Sequence, residues 1–467
     1  MDITREDLSL FLNACTVATS QKEFYSSETE QRVSLRFLHE YICGNYRSLY
    51  ARTLAAGINH HNQSEVIFQL LSSGKQCPEA LRPLENRLIT AALKALPPHR
   101  AWKLLLRLQE SRVNNRRTRK ITQHFLESRK DLPFDAVKYR RKVRAAMQHA
   151  HLKPEGEVSR FVFEGIKKPF EHPLLETYRL AHYSKEKIFD LPYSIAEGFA
   201  AKHNLNRADF LNRIQSKMTD RERLRLQEKS AGQVAFDPAR VSLTELCSYL
   251  LGLPLNERRE RAEKMHLWLQ QAALSALKRT GPLPLPHHKV AAVLDNSYSS
   301  SGSEVKQNRP LAVALSVDAL LHASGGVYQA FWTRPVQDPL FTHARGQTFL
   351  AERLLDALEW GAQTVLLVTD ACENDVPGAF DQIYQAYRKM GGKASIIHLN
   401  PVFDAENFQV KPLSRDLPAL GLRAGEELPT ALAFGQFSIG QSTLQDLEAY
   451  LTIRAEKLFA LTGGGPQ

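Results

Sequence analysis

The stretch VAAVLDNSYSSSGSE, Val290–Glu304, decides the fold of the second part of this chain. Its first five residues form a short, continuous apolar run, which is typical of a buried strand in a parallel sheet. One carboxylate, Asp295, follows directly, with hydroxyls at alternating positions, Ser297 and Ser299. The residues after the strand are either a flexible serine-rich loop or a set of hard oxygen ligands. The triplet Asp-x-Ser-x-Ser is too short to decide between these two readings by itself.

The sequence after this first strand continues as an alternation of strands and helices. Predicted strands are AAVLD, GGVYQAFWT, TVLLVTD and KASIIHLN. Predicted helices are RPLAVALSVDALLHA, TFLAERLLDALEWG, GAFDQIYQAYRKMG and STLQDLEAYLTIRAEKLFAL. Short apolar strands that alternate with amphipathic helices predict a doubly wound α/β domain with a parallel sheet over residues 286–467.

The sequence before this domain has the pattern of one helix after another. Apolar residues recur at three- and four-residue spacing in segments such as ENRLITAALKAL (from Glu85) and RAWKLLLRLQES (from Arg100). The segment GPLPLPHHKV, Gly281–Val290, contains three alternating prolines and cannot continue a helix. We therefore predict a multidomain protein with an all-helical, HEAT-like array of stacked helix pairs over residues 1–285. No regular repeat period is found in it.

Composition places the chain among globular intracellular proteins. It has 467 residues, 43% of them hydrophobic and 24% charged, as expected for two or three folded domains. Five scattered cysteines fit a reducing compartment and exclude a cysteine-based zinc ribbon. No apolar run approaches the length of a membrane span. We expect a soluble, cytoplasmic protein, without membrane association and monomeric.

The net charge of +11 is distributed unevenly along the chain. Residues 1–300 carry 48 Lys and Arg against 32 Asp and Glu, a balance of +16, whereas residues 301–467 carry 13 against 18. A basic front part joined to a mildly acidic back part indicates that the front meets a polyanion, most commonly a nucleic acid.

Three loops of the predicted α/β domain carry oxygen ligands where strands end or helices begin. They contribute Asp295, Ser297 and Ser299 from the first loop, Thr348 before a helix, and Asp370 at the end of the most apolar strand. Ligands bind at the carboxyl ends of the strands in doubly wound sheets. Two carboxylates and three hydroxyls form a hard set of oxygens, which suits Mg²⁺ or another divalent cation.

In kind and order these elements resemble the metal-ion-dependent adhesion site of von Willebrand factor A domains. The resemblance covers residues 286–467 and implies that Asp295, Ser297, Ser299, Thr348 and Asp370 hold Mg²⁺ or a similar cation. It also implies a partner, such as a protein, that completes the coordination. Two alternatives stay open: the serines cap the next helix and Asp370 lies in a turn, or the site is intact but holds no metal in the cell.

Positive charge is densest between Arg100 and Arg144, where only four acidic residues oppose it. The segment includes RVNNRRTRK (from Arg112) and KYRRKVR (from Lys138), followed by QHAHLKPEGE with His149, His151 and Lys153. Such residues neutralise phosphates with salt-sensitive, sequence-independent affinity. The alternative is an ordinary solvated helix face. The two histidines lack an evident third metal ligand, so we expect them at the surface or facing RNA.

The order of helical array, linker and A domain resembles the Ro autoantigen family, whose helical half is called the TROVE module. AVKYRRKVRAAMQHAHLKPEGE (from Ala136) and VTDACENDVPGAFDQIYQAYRKMG (from Val368) carry the resemblance. It implies a ring of helical repeats that binds small structured non-coding RNA on its outer face and single-stranded RNA ends in its hole. It places the following residues at the RNA interface: Lys138, Arg140, Arg141, Lys142, Arg144, His151 and Lys153. This chain departs from the family in its serine-rich first loop.

Two further function classes were weighed against RNA binding. Asp370, Glu373 and Asp375 suggest a two-metal nuclease centre, but no general base is positioned beside them, so we expect no enzymatic activity. The main alternative is an adaptor whose A domain binds an AAA+ ATPase or another protein without any RNA. An RNA carrier should co-purify with nucleic acid, whereas such an adaptor should not.

Overall fold

The computed structural model describes residues 3–152, 155–227, 235–280, 283, 285, 289–373, 376–417, 419–432 and 443–463. Their internal contacts divide the chain into two compact units. The first, called the sheet unit, comprises Met1–Asn45, Gly57–Asn59 and Phe236–Tyr450. The second, called the helical unit, comprises Tyr46–Ala56, His60–Ala235 and Leu451–Gln467.

Helices account for most of the described chain before the sheet. In chain order they are α1 Ile3–Val17, α2 Glu28–Asn45, α3 Arg47–Arg52, α4 His60–Ser72, α5 Arg82–Ala95, α6 Pro98–Glu110, α7 Arg116–Glu127, α8 Leu132–Lys138, α9 Arg140–His149, α10 Glu157–Glu164, α11 Pro173–Ala181, α12 Tyr193–Lys202, α13 Arg207–Ile214, α14 Asp220–Gln227, α15 Leu243–Gly252, α16 Leu255–Glu260 and α17 Ala262–Thr280. Strands and helices then alternate: β1 Val290–Leu294, α18 Arg309–Ala323, β2 Tyr328–Trp332, α19 Leu350–Glu359, β3 Thr364–Val368, α20 Ala379–Lys389, β4 Ser395–Asn400, β5 Ala419–Gly421 and α21 Leu444–Leu461.

Capping residues set the boundaries of the helices that carry the basic segment. Asn115 accepts a hydrogen bond from the Thr118 N–H at the start of α7, and Asp131 accepts one from the Phe134 N–H at the start of α8. Tyr139 alone separates α8 from α9. Helix α9 buries Val143, Ala146 and Met147 and exposes Arg141 and Arg144, which is the amphipathic pattern expected from the sequence.

A buried carboxylate joins three helices of the helical unit. Glu85 on α5 is 0% exposed and accepts from Arg47 at 2.9 Å and from Arg117 at 2.7 Å. The helical unit also packs Trp102 edge-on against Phe125, with ring centroids 5.3 Å apart. Arg117 therefore serves the interior of this unit, although it belongs to the dense basic segment of the sequence.

The sheet is parallel, with strand order β2-β1-β3-β4-β5. Val290 of β1 is in register with Tyr328 of β2 and Thr364 of β3. All five residues of β1 and of β3 are buried, as expected of central strands that are covered on both faces. Helices α19 and α20 pack on one face through a core that includes Ala291, Val293, Leu354, Leu367 and Phe380. Helix α18 packs on the opposite face and also contacts α15 and α17.

Helix α1 lies along the edge strand β5 within the sheet unit. The Asn13 Nδ2 donates to the Ala419 carbonyl oxygen at 3.1 Å, and the Gly421 N–H donates to Asn13 Oδ1 at 3.1 Å. A Cβ at Gly421 would lie 2.6 Å from the Asn13 carbonyl oxygen, so glycine permits this close approach. The amide of one side chain thus occupies hydrogen-bonding groups that an edge strand otherwise leaves open.

The predicted combination of a helical part with a parallel α/β sheet is confirmed. The four predicted strands and the helices between them are present, and β5 is a further, three-residue strand. The boundary at residues 285/286 stays a prediction about sequence modules, since the contact-based units place 1–45 and 236–280 with the sheet. The closed ring and the A-domain assignment also stay predictions. No helix within the described ranges is both long and apolar enough to cross a membrane.

Candidate metal centre and basic helical face

Two aspartates follow adjacent parallel strands at one edge of the sheet. Leu294 of β1 is in register with Val368 of β3, and the Asp295 N–H donates to the Val368 carbonyl oxygen at 3.0 Å. The chain passes from β1 to β2 on one side and then to β3 on the other, so the strand order reverses between β1 and β3. Asp295 comes directly after β1, and Asp370 comes one residue beyond the end of β3, after Thr369. Open α/β sheets bind their ligands at this point.

The Asp295 carboxylate is buried and accepts hydrogen bonds on both oxygens. Its Oδ1 accepts from the Ser297 backbone N–H at 2.8 Å, and its Oδ2 accepts from the Thr369 hydroxyl at 2.7 Å. Burial raises the pKa of Asp295, and the hydrogen bonds from Thr369 and Ser297 act in the opposite direction. These donors fix the orientation of the side chain at the end of β1.

The two serines at alternating positions have adjacent hydroxyls. Ser297 Oγ and Ser299 Oγ are 3.2 Å apart, and both residues are buried. A 3-10 turn over Tyr298–Ser301 places them, and within it the Ser300 hydroxyl donates to the Asp295 carbonyl oxygen at 3.1 Å. Ser300 thus stabilises the turn, whereas Ser297 and Ser299 supply a pair of neighbouring oxygens.

Thr348 lies in the loop before α19, and backbone hydrogen bonds connect this loop to the serine-rich one. The Tyr298 N–H donates to the Gly346 carbonyl oxygen at 3.0 Å, and the Arg345 N–H donates to the Asn296 carbonyl oxygen at 3.0 Å. Thr348 itself is buried. The fold therefore places Thr348 in the loop that adjoins the Asp-x-Ser-x-Ser stretch.

Asp370 has a buried oxygen that lacks a hydrogen-bond partner. Its Oδ1 accepts from the Cys372 N–H at 3.0 Å, whereas its Oδ2 is buried and makes no hydrogen bond of normal geometry within the described part of the chain, although the Ser299 hydroxyl is close enough to lower the pKa of this carboxyl. Burial and the charge of Asp295 raise the pKa of Asp370 to about 6. An orphaned carboxylate oxygen beside a second carboxylate is costly unless a cation compensates it. The site is therefore chemically suited to a hard cation.

The site includes neighbours that the local sequence pattern does not indicate. Tyr25, between α1 and α2, places its hydroxyl within hydrogen-bonding range of the Cys372 thiol and the Ser299 hydroxyl. Phe24 contacts the Tyr298 ring edge-on at 5.7 Å between centroids. These residues are far from the strands in sequence, so only the fold relates them to the site. Thr369, adjacent to Asp370, was also missed, although its place after a strand was visible in the sequence.

The nuclease alternative has no support from the side chains beside Asp370. The Glu373 carboxylate accepts from the Gly378 N–H at 3.0 Å and from the Phe380 N–H at 2.8 Å, so it caps α20. Asp375 lies outside the described residues. Within the described ranges, no group of three or more His, Cys, Asp and Glu side chains is placed to hold a metal. A cation at this edge would therefore depend on hydroxyl oxygens as well as on two carboxylates.

Lys138 and Lys142 of the basic segment each lie beside half-buried aromatic rings. The Lys138 ammonium donates to the Ser194 hydroxyl at 2.8 Å and lies 5.5 Å from the Phe134 ring centroid. The Lys142 ammonium lies 5.7 Å from the centroid of Tyr139. Phe134 and Tyr139 are half-buried, so neither lysine is sequestered from solvent by its aromatic neighbour.

The three arginines of α9 differ in their surroundings. Arg141 and Arg144 are exposed, and Arg144 lies over Phe163 at 5.7 Å. Arg140 is half-buried, lies over Phe161 at 5.1 Å and donates to the Val162 carbonyl oxygen at 3.3 Å. Arg140 therefore packs α9 against α10 and is a weaker candidate for contact with a polyanion than the other two.

His149, the last residue of α9, and His151, which follows the helix, have different environments. His151 is exposed, with a positive φ of 56°, and its Nε2 lies 3.4 Å from the Asn114 amide nitrogen. His149 is buried, and its ring nitrogen lies 3.0 Å from the Val113 carbonyl oxygen. The expectation that His149 is at the surface was wrong, because this ring satisfies a backbone carbonyl in the interior. Lys153 lies outside the described residues.

Positive charges from several helices converge on His99. Partial desolvation of the ring and the charges of Arg100, Lys142, Arg221 and Lys138 lower the pKa of His99, although the residue as a whole is exposed. These cations come from α6, α8, α9 and α14, which are not contiguous in sequence. The helical unit thus has a basic face. The term refers here to Lys138, Arg141, Lys142 and Arg144, together with His99 and the neighbouring Arg100 and Arg221.

Other residues of the basic segment are neutralised by carboxylates. Arg129 donates to Asp135 at 2.6 Å, and Arg107 pairs with Glu65. Together with Arg117, these side chains hold helices together, so the charge density of the sequence overstates the charge available to a ligand.

No protein-family model and no curated protein sequence matches this chain. Among solved structures, the crystal structure of the Deinococcus radiodurans RO (RSR) protein is similar to it with a TM-score of 0.44 and 17% sequence identity. The similarity covers 93% of this chain and 100% of that one. At this TM-score and identity, the similarity does not carry a fold or a function over to this chain.

Proposed function

We propose that this chain is a non-catalytic RNA-binding protein with a plan similar to that of the Ro family. It binds small structured non-coding RNA or single-stranded RNA ends through the basic face of the helical unit. A divalent cation, Mg²⁺ in the first instance, binds at the Asp295–Asp370 edge of the sheet unit and accepts a ligand from a partner, such as a protein carboxylate.

One observation carries the RNA proposal. Lys138, Arg141, Lys142 and Arg144 have no carboxylate partner among the described residues, whereas Arg107, Arg117 and Arg129 each do. Cations without counterions on one face repel each other, and the repulsion that lowers the pKa of His99 is relieved when a polyanion binds. Half-buried aromatic rings beside the lysines add surfaces on which unpaired bases stack.

The unpartnered Oδ2 of Asp370 supports the metal proposal. Asp295, Ser297, Ser299, Thr348 and Asp370 would hold the ion, with Thr369 fixing Asp295 through its hydroxyl. When bound, Mg²⁺ would neutralise the two carboxylates and leave coordination positions for water and for an oxygen ligand of a partner. Nothing in this proposal requires a chemical step, because binding alone accounts for the arrangement.

The experiment is filter binding of a structured RNA with a single-stranded 3′ tail, measured from low to high salt with and without Mg²⁺. We expect tight binding. The logarithm of the binding constant should fall linearly with the logarithm of the salt concentration, with a slope of roughly 0.7 to 0.9 for each phosphate neutralised. Mg²⁺ should leave this slope nearly unchanged, since the two proposed sites lie in different units.

Matched variants test whether RNA binding depends on the basic face or only on the overall positive charge of the protein. The double variant Arg141→Ala, Lys142→Ala should weaken binding at low salt and reduce the salt slope by about two. Lys389→Ala, which removes an exposed cation from α20 in the sheet unit, should change neither quantity. An absence of RNA binding by the unmodified protein at low salt would overturn the proposal and leave the protein adaptor as the function to test.

A further inference from the structure

A pocket opens in the helical unit between α8, α11 and α12, next to the basic face. Its volume is about 320 Å³, and its lining includes Lys138, Tyr178, His182, Gly198, Phe199 and Lys202. Pockets for small ligands begin at about 300 Å³, which is enough for a single nucleotide. The volume is therefore compatible with a small ligand. The residues that line the pocket determine which kind of ligand it binds.

Two ammonium groups line this pocket without a counterion. The Lys138 ammonium donates to the Ser194 hydroxyl at 2.8 Å, and the Lys202 ammonium lies 3.3 Å from His182 Nδ1. Both partners are neutral, and neither lysine pairs with a carboxylate in the described part of the chain. The acid nearest along α12, Glu197, pairs with Arg207 at 3.1 Å. The pocket thus has two cations that favour an anionic ligand such as a phosphate.

The contact with Lys202 fixes the protonation of His182. An ammonium group only donates, so His182 Nδ1 must accept, and the ring proton is on Nε2. This Nε2 is buried and has no hydrogen-bond partner among the described residues. Burial, together with Lys202 and His203, lowers the pKa of His182 and keeps the ring neutral. The imidazole is therefore a flat, uncharged ring held beside a cation.

Three rings form one wall of the pocket. The centroids of Tyr178 and His182 are 5.2 Å apart, those of His182 and Phe199 are 4.8 Å apart, and those of Tyr178 and Phe199 are 5.2 Å apart. All three pairs meet edge to face, which fixes the orientation of each ring. Phe199 is buried, while Tyr178 and His182 are half-buried and accessible from the pocket. Such a wall accommodates a flat aromatic ligand by stacking.

Gly198 lies in the middle of α12, where glycine is unfavourable. Glycine in a helix interior costs about 1 kcal/mol relative to alanine. No protein atom lies within 4 Å of the position that a Cβ at Gly198 would take, so packing does not require glycine there. Because this residue lines the pocket, a long side chain at position 198 would enter it, whereas alanine would leave it open.

From this combination we infer that the pocket binds one nucleotide. The ammonium groups of Lys138 and Lys202, which both line the pocket, attract the phosphate, and the base packs against the ring wall of Tyr178 and His182. The inference rests on the proposed RNA binding for the source of the nucleotide, which is an unpaired residue of the bound RNA. A free nucleoside monophosphate has the same chemistry and provides the direct probe.

The test is calorimetric titration of the full chain with adenosine 5′-monophosphate, and separately with inorganic phosphate. Three variants are compared with the unmodified protein: Gly198→Leu, which fills the pocket, Gly198→Ala as its matched control, and Lys202→Ala. We expect Gly198→Leu and Lys202→Ala to weaken the nucleotide roughly tenfold or more, and Gly198→Ala to stay within about twofold. Thermal unfolding checks that each variant is folded.

Each outcome separates this inference from the proposed function. If Gly198→Leu and the unmodified protein bind the nucleotide with equal affinity, the nucleotide does not bind in this pocket. That result would overturn the inference even if RNA still binds through the basic face. Phosphate binding as tightly as the nucleotide would also overturn it, because the ring wall would then contribute nothing. Nucleotide binding that Gly198→Leu abolishes supports the pocket. If no RNA binds in that case, the RNA proposal fails, and the pocket serves free nucleotides.

Discussion

Glu23 and Lys306 form an ion pair in which both side chains are nearly buried, at 4% and 6% exposed. They are separated by 283 positions in the sequence. The Arg309 Nη1 lies 3.9 Å from the same Glu23 oxygen. Burial lowers the pKa of Lys306, and the charge of Glu23 opposes that effect. A single carboxylate thus neutralises two cations beside the serine-rich loop, and it holds the segment that carries Tyr25.

Replacing this carboxylate should destabilise the sheet unit severely. We expect Glu23→Ala to lower the free energy of unfolding by about 3 to 5 kcal/mol, because it leaves buried cations uncompensated. Chemical denaturation followed by circular dichroism measures the change. The double variant Glu23→Leu, Lys306→Met removes the charged pair and should recover part of the loss, since Arg309 then remains as the one uncompensated cation of this cluster. Equal destabilisation by the single and double variants would show that packing, and not charge, is responsible.

Divalent cations should stabilise the protein through the edge of the sheet. Saturating Mg²⁺ or Mn²⁺ should raise the unfolding temperature, by an amount equivalent to about 3 kcal/mol at a hundredfold excess over the dissociation constant. Asp370→Asn should abolish this response. Without metal, the variant should be at least as stable as the unmodified protein, since a neutral amide replaces an unpartnered carboxylate. Asp190→Asn, at an exposed ion pair with Lys187, is the control and should respond fully.

The triple variant Lys138→Ala, Lys142→Ala, His151→Ala should weaken RNA binding. The loss should be largest at low salt and shrink as salt rises, because counterion release supplies most of the affinity. Filter binding across a salt series measures both the affinity and the slope. An unchanged affinity at low salt would contradict a role for these residues in contacting RNA.

RNA binding should strengthen as the pH falls through the range in which His99 titrates. The pKa of His99 is lowered by burial and by the charges of Arg100, Lys142, Arg221 and Lys138. RNA phosphates on this face offset those charges and raise the pKa, so that the complex takes up a proton. Affinity should therefore rise as the pH falls through the ordinary range of a histidine pKa and below it. His99→Gln should flatten this dependence in the same filter-binding measurement, and an equally steep dependence in the variant would exclude His99 as its source.

Local sequence patterns were sufficient to predict most of the strands and helices of the α/β part of the chain. The apolar run of β1, the period of α19 and the break at the prolines after Gly281 all follow from residues that are close in sequence. Strand β5 was not predicted, because three residues are too few to produce a recognisable alternation. The order of the strands was not visible either, although it determines that Asp295 and Asp370 end neighbouring strands.

The sequence was least informative about which charged side chains contact each other in the folded protein. Arg117 and Arg141 occupy similar basic runs, yet one pairs with the buried Glu85 and the other is exposed. The contacts of Tyr25 and Glu23 with the serine-rich loop also depend on pairs of distant residues. Such pairs are determined by how the chain packs in three dimensions. The number of basic residues in a stretch of sequence therefore does not distinguish arginines that form internal ion pairs from arginines that are exposed to a ligand.

The hydrogen bonds between Asn13 and strand β5 have a consequence for synthesis. Asn13 and Ala419 are 406 positions apart. At ribosomal rates of about 5 to 20 residues per second, the helix that contains Asn13 waits roughly 20 to 80 seconds before its strand is made. During that interval its apolar face has no partner in the sheet. The sheet unit therefore closes only after most of the chain has been synthesised.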